Sequence, residues 1–154
     1  MPEPNTFMVE NARIIFRNFE GREGPYNKEG NRNFGLVLPT DLAEKLLEDE
    51  WNVKYLEPLE EGEDPTPFIS VGVRFDVFPP RVVLLTQSTR TQLGEESVDI
   101  LDWADIEVAD LIVRGYYWNV NGKTGNKAYL QSLFVTIRED ALERKYAINE
   151  NPPE

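Results

Sequence analysis

The sequence predicts a mainly β fold, an OB-like antiparallel barrel with short helical insertions, and three observations carry that reading. Apolar and polar residues alternate with period two in at least five segments, the signature of half-buried strands. Those segments follow one another through turn-rich links and a single helical insertion, which favours antiparallel neighbours over a parallel sheet. Eleven Pro and ten Gly in 154 residues suit many turns and short strands better than long helices. A β-sandwich is the alternative architecture. The length fits one domain, placed over 1–148, with 149–154 as a short flexible tail.

Thr6 to Phe19 reads as one long strand, with Ala12, Ile14 and Phe16 on one face and Arg13, Ile15, Arg17 and Phe19 on the other. The Gly-, Pro- and Asn-rich stretch 21–31 is a loop, and Asn33 to Leu38 returns as a second strand. A hairpin connection of this length is unusual and often functional. Pro39-Thr40-Asp41 opens a helix ending near Glu50, with Thr40 as N-cap and Leu42, Leu46 and Leu47 on its apolar face. Trp51 to Leu56 is a short strand, and 57–67 an acidic loop broken by prolines. Phe68 to Phe78 is the clearest strand, with Ile69, Val71, Val73, Phe75 and Val77 facing one way and Ser70, Gly72 and Arg74 the other. Arg81 to Thr86 is apolar enough to be central, 88–94 is a polar loop, and 95–101 holds one or two helical turns. Strands over 110–120 and 127–138 flank Asn121-Gly122, a strong hairpin signal, although six intervening residues suggest a looser turn than a two-residue one. The alternation slips near Gln131 to Leu133, and 139–146 reads as a terminal helix.

Composition removes whole classes of chemistry. Without cysteine there is no disulfide framework and no thiolate zinc site. Without histidine there is no Ser-His-Asp or Cys-His catalysis and no imidazole metal ligand. No motif for a cofactor survives inspection: Gly122-Lys123-Thr124 lacks the earlier glycine of a phosphate loop and precedes a strand. The acidic loop 57–64 lacks calcium-loop spacing. No catalytic residue, metal site or cofactor is therefore expected. No apolar run approaches membrane-spanning length, and the expected compartment is the cytoplasm.

The net charge of −12 argues against a broad basic footprint, but its distribution does not. Segments 41–64, 95–110 and 139–154 carry −8, −7 and −3, whereas 1–40, 65–94 and 111–138 carry 0, +2 and +4. The cations of those neutral and positive segments are interleaved with aromatics. Arg13, Arg17 and Phe19 share a strand face, and Arg22, Tyr26, Lys28 and Arg32 follow on or beside the loop. Arg74 lies on the polar face of its strand. Arg114, Tyr116 and Trp118 share one face of the hairpin, Lys127 and Tyr129 a face of its return strand, and Lys123 sits in the turn. Cations along phosphates and flat rings under bases are what binding of a single nucleic-acid strand requires. The competing reading packs Tyr116, Trp118 and Tyr129 in the core and pairs Arg13 and Arg17 with acids of 41–64. Tyr117, on the opposite face, is the expected core residue.

The segments 11–19 (NARIIFRNF), 31–34 (NRNF), 101–106 (LDWADI), 118–125 (WNVNGKTG) and 128–137 (AYLQSLFVTI) resemble, in content and order, bacteriophage single-stranded DNA-binding proteins of the OB-fold type. The resemblance covers about residues 6–146. It implies a non-catalytic protein that coats single-stranded DNA without sequence preference in phage replication or recombination, with replication or recombination proteins as further partners. Many members end in an acidic tail closed by an aromatic residue, and 149–154 has no such residue. Two other readings stand beside it. One is an acidic protein-binding module, a nucleic-acid mimic or an inhibitor of a host enzyme, working through 41–64 and 95–110. The other is a metal-dependent nuclease built from carboxylates.

Overall fold

The single strand expected over 6–19 is two strands. In the computed structural model, which describes residues 5–25, 27–76 and 79–138, β1 (Thr6–Val9) and β2 (Ile14–Asn18) are separated by a step at Asn11, whose φ is 49°. Asparagine tolerates this left-handed conformation better than most residues. The Asn11 amide is also held by Asp110 Oδ1 at 2.7 Å. The step moves the chain between partners. β1 pairs with the later strand β8 (Ile106–Val120), and Ala12 N still donates to Ala109 O. Arg13 O then accepts from Val37 N, and β2 runs beside β3 (Arg32–Val37).

A bulge in β2 has larger consequences. Ile15 stands opposite Gly35 and Asn18 opposite Asn33, so three residues of β2 span the distance of two on β3. Phe16, at φ 50°, is turned outward and is 66% exposed. The alternation after it is reversed, and Phe19 goes to the core, fully buried and stacked on Phe34 at 5.2 Å. The face expected to hold Arg13, Arg17 and Phe19 therefore does not exist.

The remaining elements are α1 (Thr40–Glu48), β4 (Val53–Leu56), β5 (Thr66–Val73), β6 (Arg81–Leu85), β7 (Arg90–Leu93), a 3-10 turn (Val98–Asp102) and β9 (Lys123–Ile137). The N-cap of α1 is Pro39, with no side-chain cap bond, so Thr40 is the first helical residue and not the cap. Ala43 and Leu46 are buried beneath the helix, while Leu47 stays largely exposed. β7 replaces the polar loop expected over 88–94. β5 ends at Val73, short of the strand expected to Phe78; Val77, Phe78, the helix expected over 139–146 and the tail 149–154 lie outside the described residues.

Hydrogen-bonded neighbours follow the order β1-β8-β9-β5-β3-β2, with β4 added to β5, and β6 to both β9 and β7. The β5–β9 and β6–β9 pairings are parallel. The architecture is thus mainly β, as expected, but the sheet is mixed rather than antiparallel, and among the described strands pairing does not close it into a barrel. Its two path ends, β1 and β2, are consecutive in the chain. Alternation reports which face a residue takes and is blind to the direction of the neighbouring strand, which is why the parallel pairs were not legible. One apolar cluster, including Phe34, Leu36, Ile69, Val71, Leu111 and Leu133, forms the core.

The hairpin is tighter than expected. β8 and β9 are joined by Asn121-Gly122 alone, with φ 53° and 82°, the paired left-handed conformations of a type I′ turn. A bulge opposite Ile112–Val113 leaves Gln131 unpaired, where the alternation slips, so Leu130 and Leu133 both reach the core. The tip of the hairpin runs past its neighbours: β1 pairs no further than Arg114, and β5 meets β9 only at Ala128 and Tyr129.

Candidate nucleic-acid interface

The bulge, the register and the hairpin together place one polar row across the sheet. Asn18 stands opposite Asn33, Asn33 opposite Gly72, Gly72 opposite Tyr129 and Tyr129 opposite Arg114. Residues directly opposite one another share a face, so this row lies on the side away from Phe34, Val71 and Ala128. Above it is a groove of about 1720 Å³, with β3 and β5 as its floor, residues 22–25 and 27–31 as one wall and the 124–129 side of the hairpin as the other.

Two aromatics define that second wall, each laid across a glycine. A Cβ on Gly72 would meet Tyr129 Cδ1 at 3.0 Å, and one on Gly125 would meet Trp118 Cζ2 at 2.8 Å. A side chain at Gly125 would displace the Trp118 ring, and one at Gly72 would crowd that of Tyr129. Lys127 Nζ sits 5.5 Å from the Tyr129 ring centroid. This is the combination that stacking of bases and neutralising of phosphates requires.

The other wall is preformed by amide side chains. Asn18 Oδ1 accepts from the amides of Gly21 (3.1 Å) and Arg22 (2.8 Å). Asn27 Nδ2 donates to the carbonyls of Arg22 (2.7 Å) and Asn31 (3.0 Å), while its Oδ1 accepts from Asn33 Nδ2 (2.9 Å). Gly21, at φ 78°, passes so close to Gly30 that a Cβ would lie 3.0 Å from its carbonyl carbon. A loop read from sequence as a long basic tip is therefore a folded wall.

Of the residues singled out from sequence, Arg17, Arg22, Lys28 and Arg32 line the groove on the loop side. Arg74, Trp118, Lys127 and Tyr129 line it on the floor and hairpin side. Several of these cations are already engaged. Arg17 Nη1 donates to Leu101 O and Ala104 O, both at 2.8 Å, which makes it a tether more than a phosphate ligand. Arg74 is bonded twice to Asp76, at 3.1 and 2.7 Å; those bonds, with one to Tyr129, hold its guanidinium pKa above the usual range. Arg32 lies 3.7 Å from Glu95 and over Phe75, and its Nε is buried with no hydrogen-bond partner among the described residues.

Five residues fall elsewhere. Phe19 is core. Arg13, Arg114, Tyr116 and Lys123 do not line the groove. Arg13 is lost to the step between β1 and β2. Arg114 and Tyr116 share the face of Trp118 on β8, but they stand behind Tyr129 and Lys127 of β9, whereas Trp118 reaches the groove across Gly125. Lys123 is carried away at the hairpin tip. Tyr26 lies outside the described residues. Tyr117, expected in the core, is 58% exposed because the tip extends beyond the sheet that would cover it. Sequence reasoning missed Lys54, Asn18, Asn27 and Asn33. Lys54 was hidden in the most acidic segment, and the only signal for the asparagines was their density around the loop. The groove also holds Glu23, Glu29, Glu50, Asp76 and Glu95, so it is less basic than the segment charges suggested. Among the described residues no group of three carboxylates is placed to hold a metal ion, and no helix is long and apolar enough to cross a membrane.

An open groove with flat rings on one wall, amide-braced backbone on the other and cations along both defines a binder of an extended polyanion with stackable groups. The family model described as "Putative phage ssDNA-binding domain" matches residues 2–152, and the chain belongs to that family of phage single-stranded DNA-binding proteins. Its fold is similar to that of the single-stranded DNA-binding protein from bacteriophage Enc34, with a TM-score of 0.54 at 14% identity, over 88% of this chain and 83% of that one. The structure of the Enc34 protein in complex with ssDNA gives a TM-score of 0.52 at 15% identity, over 88% of each chain. No curated protein sequence matches.

Proposed function

We propose that the chain coats single-stranded DNA through this groove, without sequence preference and without catalysis, in phage replication or recombination in the host cytoplasm. The observation that carries the reading is the pair of rings, Trp118 across Gly125 and Tyr129 across Gly72, set beside Lys127 and Lys54 in one groove. Every base has a π face, so such rings accept any sequence. The OB-like reading rests on the single N-terminal segment that serves both ends of the sheet, leaving β8 at Ala12 and joining β3 at Arg13. The family match over 2–152 supports one domain.

The test is fluorescence anisotropy of labelled oligo-dT at low and moderate salt, with oligo-dA and a duplex of equal length as controls. Single strands of either base should bind with similar, salt-weakened affinity. A duplex keeps its bases paired, so any binding to it lacks the stacking contribution, and Trp118→Ala should weaken only the single-strand complex. No binding to single strands at low salt overturns the proposal.

A further inference from the structure

The segment Leu101–Ala104 lies outside the groove, and one of its side chains is not part of the core. Leu101 is fully buried and the Asp102 side chain is 1% exposed, yet Trp103 between Asp102 and Ala104 is 76% exposed. Its surroundings are held firmly. Asp102 accepts from the amides of Phe19 (2.6 Å) and Glu20 (3.0 Å), and the Leu101 and Ala104 carbonyls accept from Arg17. The Trp103 amide donates to Ile100 O at 3.2 Å. The indole is thus a large flat surface carried on a fixed backbone and turned to solvent. Arg22 links it to the groove: its guanidinium carbon lies 5.6 Å from the ring centroid, and the same residue lines the groove. Glu20 and Asp102 approach that guanidinium to 3.6 and 3.9 Å, so it offsets half of their charge.

We infer that Trp103, with Arg22, is a second stacking site for a nucleobase of a single strand that has left the groove over the loop wall. The inference rests on the groove being the single-strand site. Stacking suits this position because a neutral base meets no electrostatic penalty beside carboxylates, whereas the acids of segment 95–110 disfavour further phosphates. The site therefore takes the last base of the path and does not extend it.

The experiment is an oligo-dT ladder from about 4 to about 16 nucleotides, the range of site sizes for such folds, titrated with wild type, Trp103→Ala, Trp103→Phe and Trp118→Ala. Trp103→Ala should bind the shortest oligonucleotides as wild type does and lose about 5- to 150-fold on the longer ones, the worth of one stacked base. Trp103→Phe should recover most of that loss, and the salt slope should not change, since no phosphate contact is removed. Trp118→Ala should lose affinity at every length. Because Trp103 is mostly exposed, its variants should keep the wild-type melting midpoint. Equal affinities of wild type and Trp103→Ala at all lengths overturn the inference, and so does a loss that is the same at every length. Failure of the wild type to bind any member of the ladder removes the groove reading itself and this inference with it.

Discussion

Trp118 reaches its position only because residue 125 has no side chain, and that dependence can be tested by adding one carbon. A Cβ on Gly125 would come 2.8 Å from Cζ2, 3.0 Å from Cε2 and 3.1 Å from Nε1 of the indole, and the first of these is closer than such carbon atoms approach. The backbone has no reason to yield. Gly125 lies inside β9 and is not among the residues with positive φ, so alanine fits its conformation. The restricted unfolded chain should even add about 0.4–1 kcal/mol of stability. The ring, 37% exposed at the groove wall, is what moves. Gly125→Ala should therefore cost single-strand affinity up to the worth of one stacked base, about 1–3 kcal/mol or about 5- to 150-fold, with stability equal to or above wild type. Anisotropy titrations with oligo-dT at fixed salt give the affinity, and thermal melts give the stability. The two changes act on one ring, so Gly125→Ala should add nothing to the loss caused by Trp118→Ala. Wild-type affinity in Gly125→Ala, or losses that simply add in the double variant, would refute the stacking role assigned to this wall.

Other substitutions separate the roles of individual groove residues. Asp76→Asn should tighten single-strand binding and steepen the dependence of log affinity on log salt by about 0.7, because it releases Arg74 to meet a phosphate; a salt titration reads both effects. Arg17→Ala should cost about 1.5–3 kcal/mol in urea unfolding through its bonds to Leu101 and Ala104, with an unchanged salt slope. A slope flattened by about 0.7 at wild-type stability would instead make Arg17 a phosphate ligand. Phe19→Ala should cost about 3–5 kcal/mol in the same unfolding assay, the penalty of emptying a fully buried ring site, while the folded fraction keeps its affinity.

Much of this site was visible in the residues, and what was not has definite physical causes. The alternation from Phe68 and the Asn-Gly turn identified the strands that hold Gly72, Trp118 and Tyr129. Alternation fails wherever a bulge inserts one residue, and the bulge at Phe16 reversed the roles of Arg17 and Phe19 without any change in composition to announce it. A glycine partner is equally silent: Gly72 and Gly125 matter through what lies across from them, and cross-strand register is a long-range fact. The asparagines around the loop read as turn formers, which they are. Only the run of bonds from Asn18 through the Arg22 backbone to Asn27 and Asn33 shows that they also build a wall.

The engaged cations bear on how such an acidic protein holds a polyanion. Seven cations line the groove, and if each met a phosphate the salt slope would be about −5, at about −0.7 per phosphate. Arg17 is taken by carbonyls, Arg22 lies against Glu20 and Asp102, Arg32 against Glu95, and Arg74 against Asp76. Among the described residues that leaves Lys28, Lys54 and Lys127 without a carboxylate partner, for an expected slope near −2. A slope that shallow gives charge a minor share of the binding and stacking the larger one. It also means that the complex should persist at salt concentrations that strip a purely electrostatic binder from DNA. A measured slope near −5 would show that the strand displaces every one of these internal partners, and the groove arginines would then be phosphate ligands held in reserve by their acids.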